Sequence, residues 1–231
     1  MKLAIRLVLL GLGVFATTSA QAGFTARFDS FSGDGAGAGI YMWKQGGSYG
    51  TYVPGYVESG PPSGSIHSFQ SFCIQTSQHI STGNNYTYSV IELKDAPIPG
   101  SGMGPTRADN IKRMWATYKS TLGTDLKKNE AFQYAVWNLS GQSFTLSGDA
   151  TVQSYYYTYL SGWGTAKANL AALADGTAQD QVFELEDGYV PSGGNIVEVP
   201  VPPAVVQVAA GIASGLFLRR RIAGQQAAVV A

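Results

Sequence analysis

The chain has 231 residues, with 15 Lys+Arg against 15 Asp+Glu; 45% of it is hydrophobic, 12% aromatic and only 13% charged. That is enough apolar length for one domain with a sizeable core, and too little charge for a disordered chain. A single cysteine excludes an intrachain disulfide framework. One cysteine with two histidines, His67 and His79, argues against a multi-ligand zinc site, so no metal and no cofactor is expected. The 29 glycines and 13 tyrosines beside so little charge point to a β-rich extracellular protein.

The neutral total hides an uneven distribution. Lys2, Arg6, Arg219, Arg220 and Arg221 lie at the two ends, which leaves ten basic against fifteen acidic residues over 23–198. An acidic body lacks the clustered Lys and Arg that phosphate backbones require, so nucleic-acid binding is set aside.

Residues 1–22 combine a positive start, an apolar run over 7–15 and the small-residue close Ala20-Gln21-Ala22. This is the pattern of an export signal peptide and predicts a mature chain beginning at Gly23. From 24 to 99, short alternating runs over 24–29, 50–57, 66–75 and 86–93 predict strands of an antiparallel sheet. The glycine-rich 33–39 segment lacks the spacing of a dinucleotide or phosphate loop and reads as a flexible loop. Proline and glycine over 97–105 mark a connection.

The period then lengthens. Ile111, Trp115, Tyr118 and Leu122 follow helical spacing from near Asp109; Phe132, Ala135, Val136 and Leu139 define a second helix that Gly141 is placed to end. A third helical segment is expected within 149–173, broken near Gly162-Trp163-Gly164, before 181–185 alternates again as a returning strand. Strands, then helices, then strands predict an α+β domain over 23–198. Its expected form is an antiparallel β-sandwich or barrel-like sheet with an inserted helical subdomain.

The C-terminal 199–231 segment opens with Val199-Pro200-Val201-Pro202, continues through an apolar stretch over 204–218 and ends in Arg219-Arg220-Arg221. Fifteen helical residues reach about 22 Å, short of a bilayer core of about 30 Å, although flanking valines lengthen the run and arginines snorkel. The arginines predict a cytoplasmic end, with the body outside. This arrangement resembles the PEP-CTERM sorting signal of Gram-negative bacteria, with Val201 where that family has Glu. The resemblance implies an exosortase-like sorting machinery and at least transient membrane anchoring.

Two residues in the body stand out. Cys73, in Phe72-Cys73-Ile74-Gln75, is an unpaired thiol in an exported chain; its plain reading is a small buried hydrophobe. Gln133, in Gln133-Tyr134-Ala135-Val136-Trp137, is a polar residue on an otherwise packable helix, and its plain reading is a surface or capping glutamine. Taken together, in this order and with flanking strands, these segments resemble the thioester domain of bacterial surface proteins over roughly 65–187. That family pairs an aromatic-Cys-aliphatic-polar motif with a later Gln-x-x-aliphatic-Trp motif. The resemblance extends through 85–90 and Gln179-Asp180-Gln181-Val182; Asn138 stands where the family commonly has an acid.

The resemblance implies that the Cys73 thiol attacks the Gln133 carboxamide, ammonia leaves and an internal thioester forms. Such a reaction needs sulfur and carbonyl held at near-attack distance and donors for the developing oxyanion. Phe72, Phe132, Tyr134 and Trp137 are the expected pocket residues that exclude water. An amine, such as a lysine on a surface or matrix target, then opens the bond and leaves a covalent link; this is single-turnover acyl transfer rather than turnover catalysis. The expectation is therefore an exported, surface-anchored, adhesin-like protein. Two alternatives stay open: a non-covalent structural protein of the extracellular matrix, and a secreted Cys hydrolase pairing Cys73 with His79 or His67. Glu184, Glu186 and Asp187 read as a solvated strand face and turn. Tyr155, Tyr156, Tyr157 and Tyr159 read either as helix packing or as a sugar-binding cluster.

Overall fold

The computed structural model describes residues 23–33, 38–176 and 178–199; the expected export signal over 1–22, most of the 33–39 loop and, apart from Val199, the expected sorting segment over 199–231 lie outside them. The strands are β1 (Phe24–Gly33), β2 (Gly39–Gln45), β3 (His67–Cys73), β4 (Asn85–Glu92), β5 (Leu170–Ala174), β6 (Gln181–Glu184), β7 (Tyr189–Ser192) and β8 (Asn195–Glu198); the helices are α1 (Gly104–Tyr118), α2 (Leu126–Ser140) and α3 (Ala150–Tyr159). Six strands close into a barrel in the order β1-β2-β3-β6-β5-β4, each neighbour antiparallel, which removes free sheet edges. The expected α+β architecture is borne out in its barrel form.

Alternation explains the barrel wall. In β1, Phe24, Ala26 and Phe28 are buried while Thr25 and Arg27 are half-buried. The buried set fills the interior with rings: Phe24 lies 5.5 Å from Phe69, Trp43 stacks on Phe69 at 6.0 Å, and Tyr88 meets Trp43 edge-on at 5.7 Å. The register of β1 against β2 shifts between Phe28 and Ser30, so Asp29 is an extra residue. Such a bulge lets Phe28 opposite Trp43 and Phe31 opposite Tyr41 share one face despite their odd spacing.

The segment over 50–57, expected as a strand, is irregular instead. Pro54 and Gly55 (φ 102°) interrupt it, and only Tyr56 bridges to Leu185. Its ring still plugs the barrel, 4.8 Å from Phe69.

The helices occupy the chain between β4 and β5, two strands that pair directly, so the whole helical subdomain is inserted into one hairpin. α1 starts at Gly104 rather than near Asp109, because Pro105 fits the first turn, where its missing N–H costs nothing. α2 starts at Asp125, whose carboxylate accepts from the N–H groups of Lys127 and Lys128, and ends at Gly141 in the left-handed region (φ 80°), as the sequence predicts. α3 is capped in the same way by Asp149 and ends before Gly162. The expected helical window to 173 overlaps β5, whose sequence Leu-Ala-Ala-Leu-Ala is buried at every position and so carries no alternation. α2 packs between the barrel strands β1, β2 and β3 on one side and α1 and α3 on the other.

Candidate functional site

Cys73 ends β3, and Gln133 sits in the middle of α2; the packing of α2 on the barrel brings them together across 60 positions. Both are fully buried, so the surface reading of Gln133 does not hold. The contact is reciprocal: the Cys73 N–H donates to Gln133 Oε1 at 2.8 Å, and Gln133 Nε2 donates to the Cys73 carbonyl at 2.7 Å. A buried carboxamide is costly unless its dipoles are matched, and here the backbone of one residue matches both.

The thiol donates to the Gln75 carbonyl at 2.6 Å. Burial pushes its pKa up to about 12, so the resting group is a protonated thiol. The Trp137 side chain gives the largest opposing influence; its buried indole N–H makes no hydrogen bond, yet lies near enough to the sulfur to favour a thiolate. Gln179 acts in the same direction and Asp180 against it.

Beneath the pair runs a buried polar network. Gln75 Nε2 donates to the Pro97 carbonyl (2.9 Å) and to Asp180 Oδ2 (2.8 Å), while the Ile74 N–H donates to the Asp180 carbonyl (3.0 Å). Gln179 Nε2 reaches the carbonyls of Gln75 and Gln78. Gln181 Oε1 accepts from Ser71 Oγ, which accepts from the Trp43 indole. Burial raises the Asp180 carboxyl to about 6. In the sequence, Gln75, Gln179, Asp180 and Gln181 stand out only as parts of motifs. The signal for them was a polar triplet, Gln179-Asp180-Gln181, feeding a strand whose first three residues the closed barrel buries.

The other expected pocket residues divide. Phe72 alternates to the opposite side of β3 from Cys73 and packs on Phe132 (4.8 Å) and Trp115 (5.4 Å), sealing the junction with the helices. Tyr134 packs on Trp137 (5.6 Å) and Phe144 (5.3 Å). Of the four, Trp137 is the one whose side chain favours a charge on the sulfur. Asn138, where the motif departs from its pattern, donates to the Tyr156 hydroxyl and ties α2 to α3.

The rival sites separate from Cys73. His67 hydrogen-bonds Glu58 at 2.7 Å and stacks on Tyr52, and His79 is exposed; neither is a hydrogen-bond partner of the thiol among the described residues. Glu184 accepts from the Trp115 indole at 2.8 Å. Of the tyrosine cluster, Tyr156 and Tyr159 are buried and Tyr157 is 62% exposed, an arrangement of helix packing. Among the described residues no group of three His, Cys, Asp or Glu could hold a metal.

What the fold and site define is an α+β barrel with a buried cysteine and glutamine clasped where an inserted helix meets a strand end. Comparison with protein-family models, with curated proteins and with solved structures finds no match.

Proposed function

We propose that Cys73 and Gln133 form an internal thioester, and that the exported protein uses it once to attach covalently to an amine on a surface or matrix target. The observation that carries this reading is the two-way hydrogen bond between the Gln133 carboxamide and the Cys73 backbone. It orients the carboxamide for the chemistry. The Cys73 N–H already sits on the oxygen that becomes the oxyanion when sulfur adds to the acyl carbon, and the nitrogen that must leave is held at the Cys73 carbonyl. The S–C bond forms, the C–N bond breaks and ammonia departs with the thiol proton. Complete burial then keeps water from the product. The end segments support delivery of this domain to the cell surface, by export through 1–22 and sorting through the PEP-CTERM-like 199–231.

Intact mass tests the bond. Freshly purified mature protein should be lighter than its encoded mass by one ammonia, and methylamine should restore mass by adding at Gln133 while freeing Cys73. Cys73→Ala should abolish both effects and stay folded, at a cost of about 1 kcal/mol for the lost buried atom. A fresh wild-type chain of full encoded mass that never takes up an amine would leave Gln133 as a purely structural clasp.

A further inference from the structure

Beside the site lies a cavity of about 230 Å³ lined by Phe28, Phe31, Tyr41, His79, Ile80 and Gln179. The bulge at Asp29 builds it, because it turns Phe28 and Phe31 to the same face as Tyr41; their rings stand 5.4 Å and 5.2 Å from the Tyr41 ring. Two lining residues also border the thiol. Gln179 donates to the Gln75 carbonyl, the acceptor of the Cys73 S–H, and is itself close enough to influence the sulfur. Tyr41 stands opposite Ser71 in the β2–β3 register, two residues before Cys73 and on the same face of β3.

Among the described residues no Lys, Arg, Asp or Glu lines the cavity, and its volume is below that of a drug-sized pocket, so it suits one narrow chain. Aromatic faces attract an ammonium group, and the acidic body draws cations toward the domain. An ammonium cannot attack until it loses a proton. His79 and Tyr41 are the titratable groups in the lining, and burial raises the Tyr41 phenol far beyond neutral pH.

Resting on the thioester reading above, we propose that this cavity receives the acceptor: an aliphatic primary amine on a linear chain, as in a lysine side chain, with the three rings around its methylenes and His79 taking its proton. The Gln179 side chain, which borders both cavity and sulfur, turns aside to admit the nitrogen. The nitrogen bonds to the acyl carbon of Gln133 and the carbon–sulfur bond breaks; of the two protons the ammonium gives up, the first leaves through His79 to solvent, and the second, lost from nitrogen as the amide forms, ends on the Cys73 sulfur.

The test compares freshly purified wild-type, His79→Ala and Ile80→Trp chains by intact mass. All three should carry the ammonia deficit, since neither residue touches the Cys73–Gln133 pair. With Nα-acetyl-lysine amide near neutral pH, His79→Ala should react at least about tenfold more slowly and recover at high pH, where the amine is already free. Hydroxylamine, unprotonated at neutral pH, should open wild-type and His79→Ala at similar rates. Ile80→Trp should slow the lysine probe more than it slows methylamine. Variants that keep the deficit and react with the lysine probe at wild-type rates would show that the amine arrives elsewhere. A wild-type chain without the deficit would overturn the thioester itself, and the acceptor cavity with it.

Discussion

Hydrolysis of the proposed thioester would leave Glu in place of Gln133, so Gln133→Glu mimics the spent protein, and its stability can be worked out from the contacts. The background for the test is Cys73→Ala, which cannot form the bond but keeps the backbone N–H and C=O at position 73. There the wild-type amide nitrogen donates to the carbonyl at 2.7 Å. A carboxylate has no donor, and ionised it would hold an oxygen charge against that carbonyl in a fully buried place, at a cost of several kcal/mol. Protonating it instead costs about 1.36 kcal/mol per pH unit above a free carboxyl pKa of about 4.3, or about 3.7 kcal/mol at about pH 7. The cheaper route sets the ceiling. The side chain's folded pKa is raised above its unfolded value, so the penalty is near zero at about pH 4 and grows as pH rises, to about 3–4 kcal/mol at neutrality. Urea unfolding of Cys73→Ala with and without Gln133→Glu, across that pH range, measures it. Asp180 is common to both chains and drops out of the difference. A penalty that does not change with pH would refute the placement of the Gln133 side chain on the Cys73 carbonyl.

Two further outcomes follow from the same structure. Burial raises the Asp180 carboxyl to about 6, above its unfolded value of about 3.9, so its favourable contribution is complete at low pH and is lost as pH rises through that window, by about 3 kcal/mol; Asp180→Asn should flatten this part of a stability–pH curve measured by urea unfolding. Protein recovered from the cell envelope should begin at Gly23, and N-terminal sequencing that finds Met1 on protein soluble in the cytoplasm would refute the export reading.

The sequence made the fold legible where side chains declare their surroundings. β4 alternates, the predicted bounds of β3 and β4 differ from the observed ones by one or two residues, and α2 ends at the glycine the sequence placed there. It failed where burial is total or local chemistry misleads. β5 is apolar and buried at every position, which erases the period that distinguishes strand from helix. The 50–57 run has the composition of a strand, yet Pro54 and Gly55 confine it to one bridge. The Cys73–Gln133 junction was legible only through resemblance, since nothing local in an α2 buried at every position from Asn129 to Trp137 singles out Gln133 as the residue facing a strand end. The cavity was not legible at all, because it depends on one extra residue in β1 that shifts which phenylalanines share a face.

Trp137 separates the chemical reading of the site from a purely structural one. Its indole N–H is buried without a hydrogen-bond partner, which costs a folded protein about 1–3 kcal/mol. Its ring packs on Tyr134 and Phe144, a job that phenylalanine also performs with a smaller ring. If Trp137 serves only packing, Trp137→Phe trades a lost ring for a relieved donor and changes little. Under the thioester reading that N–H has work to do, because it gives the largest influence favouring a charge on a sulfur whose burial otherwise raises its pKa to about 12. A thiol of that basicity is a poor leaving group, which protects the stored bond, and the indole is the donor placed to ease its departure once an amine has added. Trp137→Phe should therefore unfold within about 1 kcal/mol of wild type, yet open with methylamine about 100-fold more slowly, at the low end of what removing one oxyanion donor costs. Intact mass over time after mixing with amine gives the rate, and urea unfolding gives the stability. Unchanged opening in a variant that still carries the ammonia deficit would remove the indole from the mechanism and leave it as core.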